Sequence, residues 1–383
     1  MILTLLAVFL LTFAQAEQRF TPVEGATLQA KQEAAARQAA AAGQTRYWTA
    51  YGFDVRPGVA VDVDYVSDDG SFRIQGTWDS FDRSAYRLDP SIETRSLAVF
   101  LLHDSQAGGG VVRLSVYNLA RRHEYSGYPV YWMGRASNDE SLAALRALAE
   151  GGGAYRKSDV ASEAVGALAL HDDRRVAEVL VAVARASAEK DVRARAVRAL
   201  GQQQPPAQAT RDFLAQIARD EREPQDVRRA AISAYSRAAD PQALAFLQSL
   251  YDSLQSDDLK RAALAGVARN ESRAGASAFV VRVATTDTNM DLRREAVRLM
   301  GELAAEQTLG ALRDAAPRTD ADTELQKQAL AAIGKRPPSE SVPLLINVAR
   351  THQKPELRRH AFILLGRAGG DAAVEFLKGV LAR

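Results

Sequence analysis

Pairs of basic residues recur at one position of a repeated segment, and this arrangement is the part of the sequence best suited to binding chemistry. Each pair begins two residues after an acidic residue, as in "DVRR" at 226 and "DLRR" at 291. Regularly spaced guanidinium and ammonium groups can hold an acidic peptide, a phosphate-bearing polymer or a glycan. We call the candidate binding residues the basic ladder: Arg193, Arg228, Arg229, Lys260, Arg261, Arg293, Arg294, Arg358 and Arg359.

A structural role is the alternative for these residues. The first basic residue of each pair can bind the acid of its own repeat or of the next repeat. Those acids are Asp226, Asp258, Asp291 and Glu356. This alternative applies mainly to the first basic residue, so the second is the better candidate for contact with a partner.

The repeated segment predicts a helix with one apolar face. Its first residue is acidic, its second is Val or Leu and its sixth is Ala in every copy, as in "DVRARAVRAL". An acid suits a helix N-terminus, where its oxygens can accept free backbone N–H groups. The Ala indicates a close approach of another helix, and a second amphipathic segment lies between copies. The copies begin at residues 159, 191, 226, 258, 291, 324 and 356.

Helix pairs at a period of about 33 residues are typical of α-solenoids. We predict seven pairs over residues 137–383, followed by a capping helix that turns Glu375, Lys378 and Arg383 outward. The D-V/L-R-x-x-A pattern resembles short HEAT repeats of the subtype found in phycobiliprotein lyases, over roughly residues 138–383. The resemblance implies an ARM-type superhelix in which the second helix of each pair, with the basic ladder, lines the concave side.

The preceding region differs in composition and contains all three tryptophans. We predict an Ala-rich helical lead-in over residues 17–45 and a small β-rich domain over 46–136, with five or six antiparallel strands. This domain is expected to cap the solenoid. The layout, with "YWTAYGF", "YPVYWMG" and "SVPLLINVARTH" in this order, resembles exported bacterial HEAT-repeat proteins, a family to which we attach no reaction. That resemblance implies a location and a scaffold.

Residues 1–16, "MILTLLAVFLLTFAQA", are interpreted as a secretory signal cleaved after Ala16, with an uncleaved anchor as the alternative. The expected location is periplasmic or secreted, with no membrane span in the mature chain. The absence of cysteine excludes disulfides and thiolate chemistry. Lys plus Arg number 49 and Asp plus Glu 47, so the charge balance argues against nucleic acid as a partner.

Catalytic constellations are weak in this sequence. HEAT-like iron hydroxylases carry His-Glu pairs, whereas His171, His352 and His360 are not followed by Glu. The "HDS" at 103–105 places neighbours on opposite faces of a strand, which does not favour a nucleophile triad. His123–Glu124 is a lone pair in a predicted polar turn, and neither "GGG" run continues as a phosphate loop.

Two further features have structural readings. "VDVDYVSDDG" resembles a calcium loop only faintly, and we interpret Asp62 and Asp64 as residues on the solvent-exposed face of a strand. Six aromatic residues are candidates for peptide or glycan contact, although most are expected in the core of the β-rich domain. They are Tyr47, Tyr51, Tyr125, Tyr128, Tyr131 and Trp132.

The sequence therefore predicts a mostly α protein, a solenoid of HEAT-like helix pairs preceded by a small β-rich domain. Its predicted function is non-catalytic protein binding in the bacterial envelope, without cofactor or metal. The partner is an unknown protein, and self-association is a further possibility. The alternative function is binding of an anionic ligand or glycan, and the third is hydrolysis by a site in the β-rich domain.

Overall fold

The computed structural model describes residues 20–381, except 60, 62–64, 67–72, 75–93, 109, 122, 152–157, 204–206, 239 and 304–322. The predicted signal segment, Arg383 and the calcium-loop residues Asp62 and Asp64 lie outside the described residues. The chain divides into two compact units, Met1–Phe213 and Leu214–Arg383. The domain limits predicted from the sequence, at residues 16, 45 and 136, stay predictions.

Seven strands are described in the first unit. They are β1 Thr21–Pro22, β2 Arg46–Gly52, β3 Tyr65–Val66, β4 Arg73–Ile74, β5 Leu97–Asp104, β6 Val111–Asn118 and β7 Val130–Arg135.

Five of these strands form one mixed sheet in the order β1-β7-β2-β5-β6, and β3 pairs with β4 separately. The pairs β2–β5 and β5–β6 are antiparallel, but β7 runs parallel to both β2 and β1. The prediction of an all-antiparallel domain was therefore wrong. The short turn at residues 105–110 joins β5 and β6, which are antiparallel neighbours. The strand β7, in contrast, pairs with the edge of β2 that is opposite to β5.

The sheet is buried on both faces because different apolar groups cover them. Trp48 and Phe100 lie at the centre of one face, where further aromatic residues pack against them. Tyr47 and Tyr131 lie on the opposite face and pack against Ala35 of the Ala-rich helix α1, Leu28–Ala41. The small alanine side chains of this helix let it lie close to the tyrosine rings.

Fourteen further helices follow the sheet within the described residues. Five of these helices begin in the first unit: α2 Asn138–Ala149, α3 Ser158–Leu168, α4 Val176–Ala186, α5 Lys190–Leu200 and α6 Gln208–Arg219. The second unit contains α7 Gln225–Ser236, α8 Pro241–Ser253, α9 Asp257–Ala268, α10 Arg273–Thr286, α11 Met290–Met300, α12 Thr323–Gly334, α13 Pro338–Thr351, α14 Pro355–Ala368 and α15 Asp371–Leu381.

Every copy of the repeated segment lies on a helix, as predicted. These second helices of the pairs are α3, α5, α7, α9, α11, α12 and α14. Residues 304–322, where the sequence predicts the first helix before α12, lie outside the described part. All seven sixth-position alanines, from Ala164 to Ala361, are fully buried. The small side chain is thus used for close helix packing, as the sequence indicated.

The acidic residue that opens each repeat does not itself cap the helix where a cap is described in the second unit. In α9 the cap is Ser256, whose hydroxyl accepts from the backbone N–H of Leu259 at 3.5 Å. In α11 the cap is Asn289, whose side chain accepts from Asp291 N at 2.8 Å. The acid lies in the first turn, where its charge still suits the helix dipole.

Within the second unit, second helices of successive pairs pack more closely on one another than first helices do. None of the helices in the described ranges combines the length and apolar character needed to cross a membrane.

Candidate binding surface

The first basic residue of each pair contacts the backbone at the end of the preceding helix. Arg228 Nε donates to the carbonyl oxygen of Ala218 at 3.1 Å, and Arg293 Nε donates to that of Ala284 at 3.0 Å. Arg358 donates to the carbonyl of His352 at 2.8 Å, and Arg193 to that of Ser187 at 3.2 Å. The last carbonyls of a helix lack intrahelical partners and carry negative partial charge, so a guanidinium satisfies both needs.

These contacts correct the structural alternative considered for the first basic residue. It was expected to bind the acid of a repeat, but Arg228, Arg293 and Arg358 bind main-chain carbonyls instead. The remaining first basic residue, Lys260, has its Nζ 5.4 Å from the centre of the Tyr251 ring. The first basic residues therefore fasten the two helices of a pair together.

The second basic residue of each pair holds the acid of its own repeat. Arg229 pairs with Asp226 at 2.6 Å, Arg261 with Asp258 at 2.8 Å and Arg294 with Asp291 at 2.9 Å. The spacing of three residues places the two side chains on one helical face. The final member of the predicted ladder, Arg359, is exposed on α14.

The same row continues at Lys327, which the pair pattern misses because Gln326 precedes it. Lys327 Nζ lies 2.8 Å from Glu324 in its own helix and 3.5 Å from Glu356 in the next second helix. The hydrogen bond with Glu324 raises the pKa of Lys327. One side chain thus reaches acids of two repeats. We call the residues Asp226, Arg229, Asp258, Arg261, Asp291, Arg294, Glu324 and Lys327 the ion-pair row.

Polar contacts also join the first turns of neighbouring second helices. Gln225 Nε2 donates to Ser256 Oγ at 2.6 Å, and Asn289 Nδ2 donates to Asp257 Oδ2 at 2.7 Å. Lys354 Nζ donates to Thr323 Oγ1 at 3.1 Å. These bonds fix neighbouring second helices, and hence the ion-pair row, in a regular register.

A different set of arginines links first helices, and these arginines are not among the binding residues predicted from the sequence. In the second unit, Arg219 lies 4.7 Å above the Phe246 ring and Arg350 lies 5.0 Å above the Phe376 ring. Each arginine ends a first helix, and each phenylalanine belongs to a following first helix. Cation–π contacts of this kind hold the guanidinium at the surface. The signal in the sequence is an Arg six or seven residues before the acid of a repeat.

A buried hydrogen-bonded chain in the first unit joins β2 to α2 and to the end of α3. His171 Nδ1 lies 2.8 Å from the Ala167 carbonyl, so Nδ1 carries the proton and Nε2 accepts from Ser141 Oγ at 2.7 Å. Since the serine has one hydroxyl proton, Tyr51 must donate in its 3.2 Å contact with Ser141. Burial lowers the pKa of His171 to about 4.

This serine–histidine pair does not have the exposure that nucleophilic catalysis requires. Tyr51, Ser141 and His171 are all buried, and the His171 ring stacks on Phe53 at 4.2 Å. A substrate needs access to the serine oxygen. The hydrogen-bonded chain of Tyr51, Ser141 and His171 is therefore a packing element between the sheet and the helices α2 and α3. Its members are too far apart in sequence for a motif to reveal it.

The "HDS" residues have separate roles. His103 Nε2 lies 2.9 Å from Thr49 Oγ1, with its ring stacked on Tyr47, while Asp104 pairs with Arg46 at 2.8 Å. His123 stacks on Tyr117 at 4.4 Å rather than standing in an open polar turn. In the part of the chain that the structure describes, no cluster of His, Asp and Glu suits a metal ion.

The six aromatic candidates divide into two groups. Tyr47, Tyr51 and Tyr131 are core residues, as the structural reading predicted. Tyr125, Tyr128 and Trp132 are half-buried around the Trp48–Phe100 cluster. Tyr125 has a positive φ of 46°, and its carbonyl accepts from Trp48 Nε1 at 2.9 Å.

Comparison with known proteins identifies the repeat. A family model described as HEAT repeats matches residues 177–268 and 316–383. These segments are HEAT repeats, which confirms the resemblance drawn from the D-V/L-R-x-x-A pattern. No curated protein matches the chain significantly.

Several solved structures are similar to this chain at low sequence identity. A human deoxyhypusine hydroxylase in complex with glycerol is 14% identical, with 63% of this chain and 89% of that chain covered and a TM-score of 0.32. The complex of CpcE and CpcF of phycocyanin lyase from Nostoc sp. PCC7120 is 16% identical, with coverages of 63% and 92% and a TM-score of 0.33. The YibA protein of Escherichia coli is 14% identical, with coverages of 68% and 92% and a TM-score of 0.41.

Proposed function

We propose that the chain is a non-catalytic protein-interaction scaffold of the bacterial envelope, which docks a protein partner on its second-helix layer. The observation that carries this proposal is the ion-pair row. Arg229, Arg261 and Arg294 stand at equivalent positions of three consecutive second helices, each beside its acid. A repeated row of this kind offers one contact per repeat to an elongated partner.

The charge of the row favours a protein with mixed charges over a polyanion. Each basic residue of the row stands beside an acid, so a polyanion meets repulsion at every step. The side chain of Arg229 is 55% exposed and that of Asp226 is 48% exposed. Exposed pairs contribute little stability, so a partner can exchange one member of a pair at small cost. The row then supplies orientation and association rate more than affinity.

The packing of the second unit supports the use of this layer. Its second helices lie closer together than its first helices, which is the relation expected of the inner layer of a bent solenoid. A partner laid along that layer contacts several repeats at once. The partly buried interhelix contacts of Arg228 and Arg293 leave the second basic residues, with Arg359 at the last copy, as the members directed to a partner.

The location in the envelope rests on the sequence of residues 1–16. Their apolar stretch and the Ala-Gln-Ala end are typical of a cleaved secretory signal. N-terminal sequencing of the protein purified after expression in a bacterium tests this point. A mature chain beginning at Glu17 is expected, and a chain that keeps Met1 in the cytoplasm would exclude the proposed location.

The binding proposal is tested by capture from a cross-linked envelope extract with two charge-matched variants. The first carries Arg229→Glu, Arg261→Glu and Arg294→Glu on the second helices. The control carries Arg219→Glu, Arg282→Glu and Arg350→Glu on the first helices, which changes the net charge equally. We expect one specific protein to be retained by the wild type and the control and lost from the first variant. Circular dichroism verifies that both variants stay folded.

Other results would point to the other functions. Retention by both variants places the interface elsewhere. Capture of a glycan or phosphate polymer, with affinity that falls steeply as salt rises, indicates the anionic-ligand function. Turnover of a generic ester, phosphate or glycoside substrate that is lost in His103→Ala would replace the scaffold with an enzyme.

A further inference from the structure

The second helices of the second unit approach one another most closely near their C-terminal ends. A Cβ built on Gly266 of α9 would lie 2.9 Å from the Cβ of Ser236, the last residue of α7. One built on Gly301, directly after α11, would lie 2.9 Å from Ala332 of α12, and Gly334 of α12 approaches α14 to 3.3 Å in the same way. At these ends the backbones pack with no large side chain between them.

The N-terminal ends of the same helices are joined by longer groups. Gln225 of α7 reaches the hydroxyl of Ser256, the cap of α9, at 2.6 Å, and Lys327 of α12 reaches Glu356 of α14 at 3.5 Å. The helices therefore diverge from their C-terminal ends toward the ends that carry the ion-pair row. Packed helix axes are separated by about 8 to 10 Å, and we assign the row the upper value, about 10 Å per step.

This step matches the repeat of side chains on an α-helix better than the repeat on an extended chain. Seven residues of α-helix rise about 10.5 Å and return a side chain to nearly the same face. On a β-strand, side chains of one face repeat every two residues, about 6.7 Å apart. A helix laid across α7, α9, α11 and α12 can therefore meet every step of the row, whereas a strand loses the match after one step.

The charges within each step also fit a helix. The acid and the base of a step are three residues apart, so the line between them is inclined at about 45° to the axis of their helix. Opposite charges three residues apart on a partner helix have the same inclination, and the two lines coincide when the helices cross nearly at right angles. Both members of each step are accessible: the acids are 48 to 70% exposed and the bases 31 to 55%.

We propose that the partner contacts the ion-pair row with an α-helix that carries one acidic and one basic residue in each heptad, three residues apart. This inference rests on the proposed function, because it specifies the partner of the same surface. The acids of the partner helix lie over the bases of the row, and its bases lie over the acids of the row. On α9 the half-buried alanines Ala262 and Ala265 lie beside Arg261 and leave room for the partner's backbone.

The test attaches synthetic peptides to the full chain through a disulfide, which detects weak binding. The chain has no cysteine, so Ala265→Cys creates a single attachment point, four residues after Arg261 on the same helical face. Three alanine-rich peptides carry four charge pairs and one central cysteine. In the first the pair repeats every seven residues, in the second every eight, and in the third every seven with a proline on the outer face of each repeat. Equilibration in a glutathione buffer gives the disulfide-exchange constant of each peptide.

We expect the constant of the heptad peptide to exceed those of the other two by about tenfold or more, because only this peptide can place a charge pair at every step. Adding Arg229→Glu and Arg294→Glu should remove this preference, since alternate steps of the row then have the wrong sign. The control adds Arg219→Glu and Arg282→Glu on the first helices, which changes the net charge equally and should leave the preference intact.

Equal constants for the seven-residue and eight-residue peptides overturn the proposal, and so does a preference that survives Arg229→Glu and Arg294→Glu. A proline peptide that binds as well as the heptad peptide means that the row accepts an extended segment, and the helical partner is then wrong. Capture from the envelope extract tests the scaffold separately. A protein captured through the row, without any preference among the peptides, supports the scaffold and rejects the helical partner, whereas the preference without a captured protein does the reverse.

Discussion

Arg228 and Ala218 are joined across the turn between α6 and α7 by a hydrogen bond from the guanidinium Nε to the carbonyl oxygen, 3.1 Å long. Arg229, the next residue, points to the acid in its own helix at 2.6 Å. A rotation of about 100° between consecutive helical residues separates the two roles. The two residues of a basic pair therefore have different roles. The first residue joins the two helices of the pair, and the second faces outward.

This division predicts different effects on stability. Replacing Arg228 with Met keeps the aliphatic stem but removes a charged donor from the helix end, so we expect a loss of about 1 to 2 kcal/mol in the free energy of unfolding. Replacing Arg229 with Met removes an exposed ion pair, and we expect a change below about 0.5 kcal/mol. Urea denaturation of both variants measures the difference. Equal losses of stability in the two variants would show that the hydrogen bond to the Ala218 carbonyl contributes no more than the exposed ion pair.

Neutralising the acids of the ion-pair row should change which ligands the surface accepts. We expect the combined variant Asp226→Asn, Asp258→Asn and Asp291→Asn to bind a polyanion such as polyglutamate, because its arginines no longer stand beside carboxylates. The wild type should bind polyglutamate far more weakly in the same titration, and added salt should abolish the gain. Indistinguishable affinities for the two proteins would mean that the acids do not screen the arginines.

The repeat was predictable because its register repeats seven times. The buried Ala at position six and the Val or Leu at position two follow from helical periodicity, and both are confirmed by burial. The C-terminal helix was expected to turn Glu375 and Lys378 outward, and these two residues are exposed. The exposed Val374 and Val380 were not foreseen, because a helix pattern does not show which neighbours are present.

The parts that could not be predicted depend on contacts between distant residues. The parallel pairing of β2 with β7 joins strands separated by the whole β5–β6 hairpin, which local turn signals do not specify. The Tyr51–Ser141–His171 chain joins residues from a strand, from a helix and from the segment that follows another helix. The contact of Arg228 with a carbonyl was missed because a sequence displays charged side chains but not the unpaired backbone groups at a helix end.

Replacing the glycine at the end of a second helix with Ala is predicted to have opposite effects on stability at Gly301 and at Gly366. Gly301→Ala would bring a Cβ to 2.9 Å from Ala332, so α11 and α12 must separate and we expect a loss of about 1 to 3 kcal/mol. Gly366→Ala meets no atom within 4 Å in helix α14, so the better helix propensity of Ala should stabilise the chain by about 0.5 to 1 kcal/mol. Denaturation midpoints of the two variants test this contrast. A gain in both would show that the helices can separate freely at Gly301.

The buried imidazole of His171 predicts a specific dependence of stability on pH. Its pKa is lowered to about 4, first by burial, although the charges of Asp173 and Asp54 act in the opposite direction. In the unfolded chain a histidine titrates near 6.5. Between these values the unfolded state binds the additional proton, so the free energy of unfolding falls as pH drops from about 6.5 to about 4, by a total of about 3 kcal/mol from this group.

The variant His171→Gln should lose this part of the pH dependence, although it is less stable than the wild type at pH 7 because the contacts with Ser141 and Phe53 are weakened. Denaturation series at several pH values give the slope for each protein, and NMR titration of the imidazole gives its pKa directly. A His171 resonance that titrates near pH 6.5 in the folded protein would contradict the buried, neutral state. Ser141→Ala serves as the companion variant: it keeps the imidazole buried but removes the proton that Nε2 accepts, so the slope should remain while stability falls by about 1 to 2 kcal/mol.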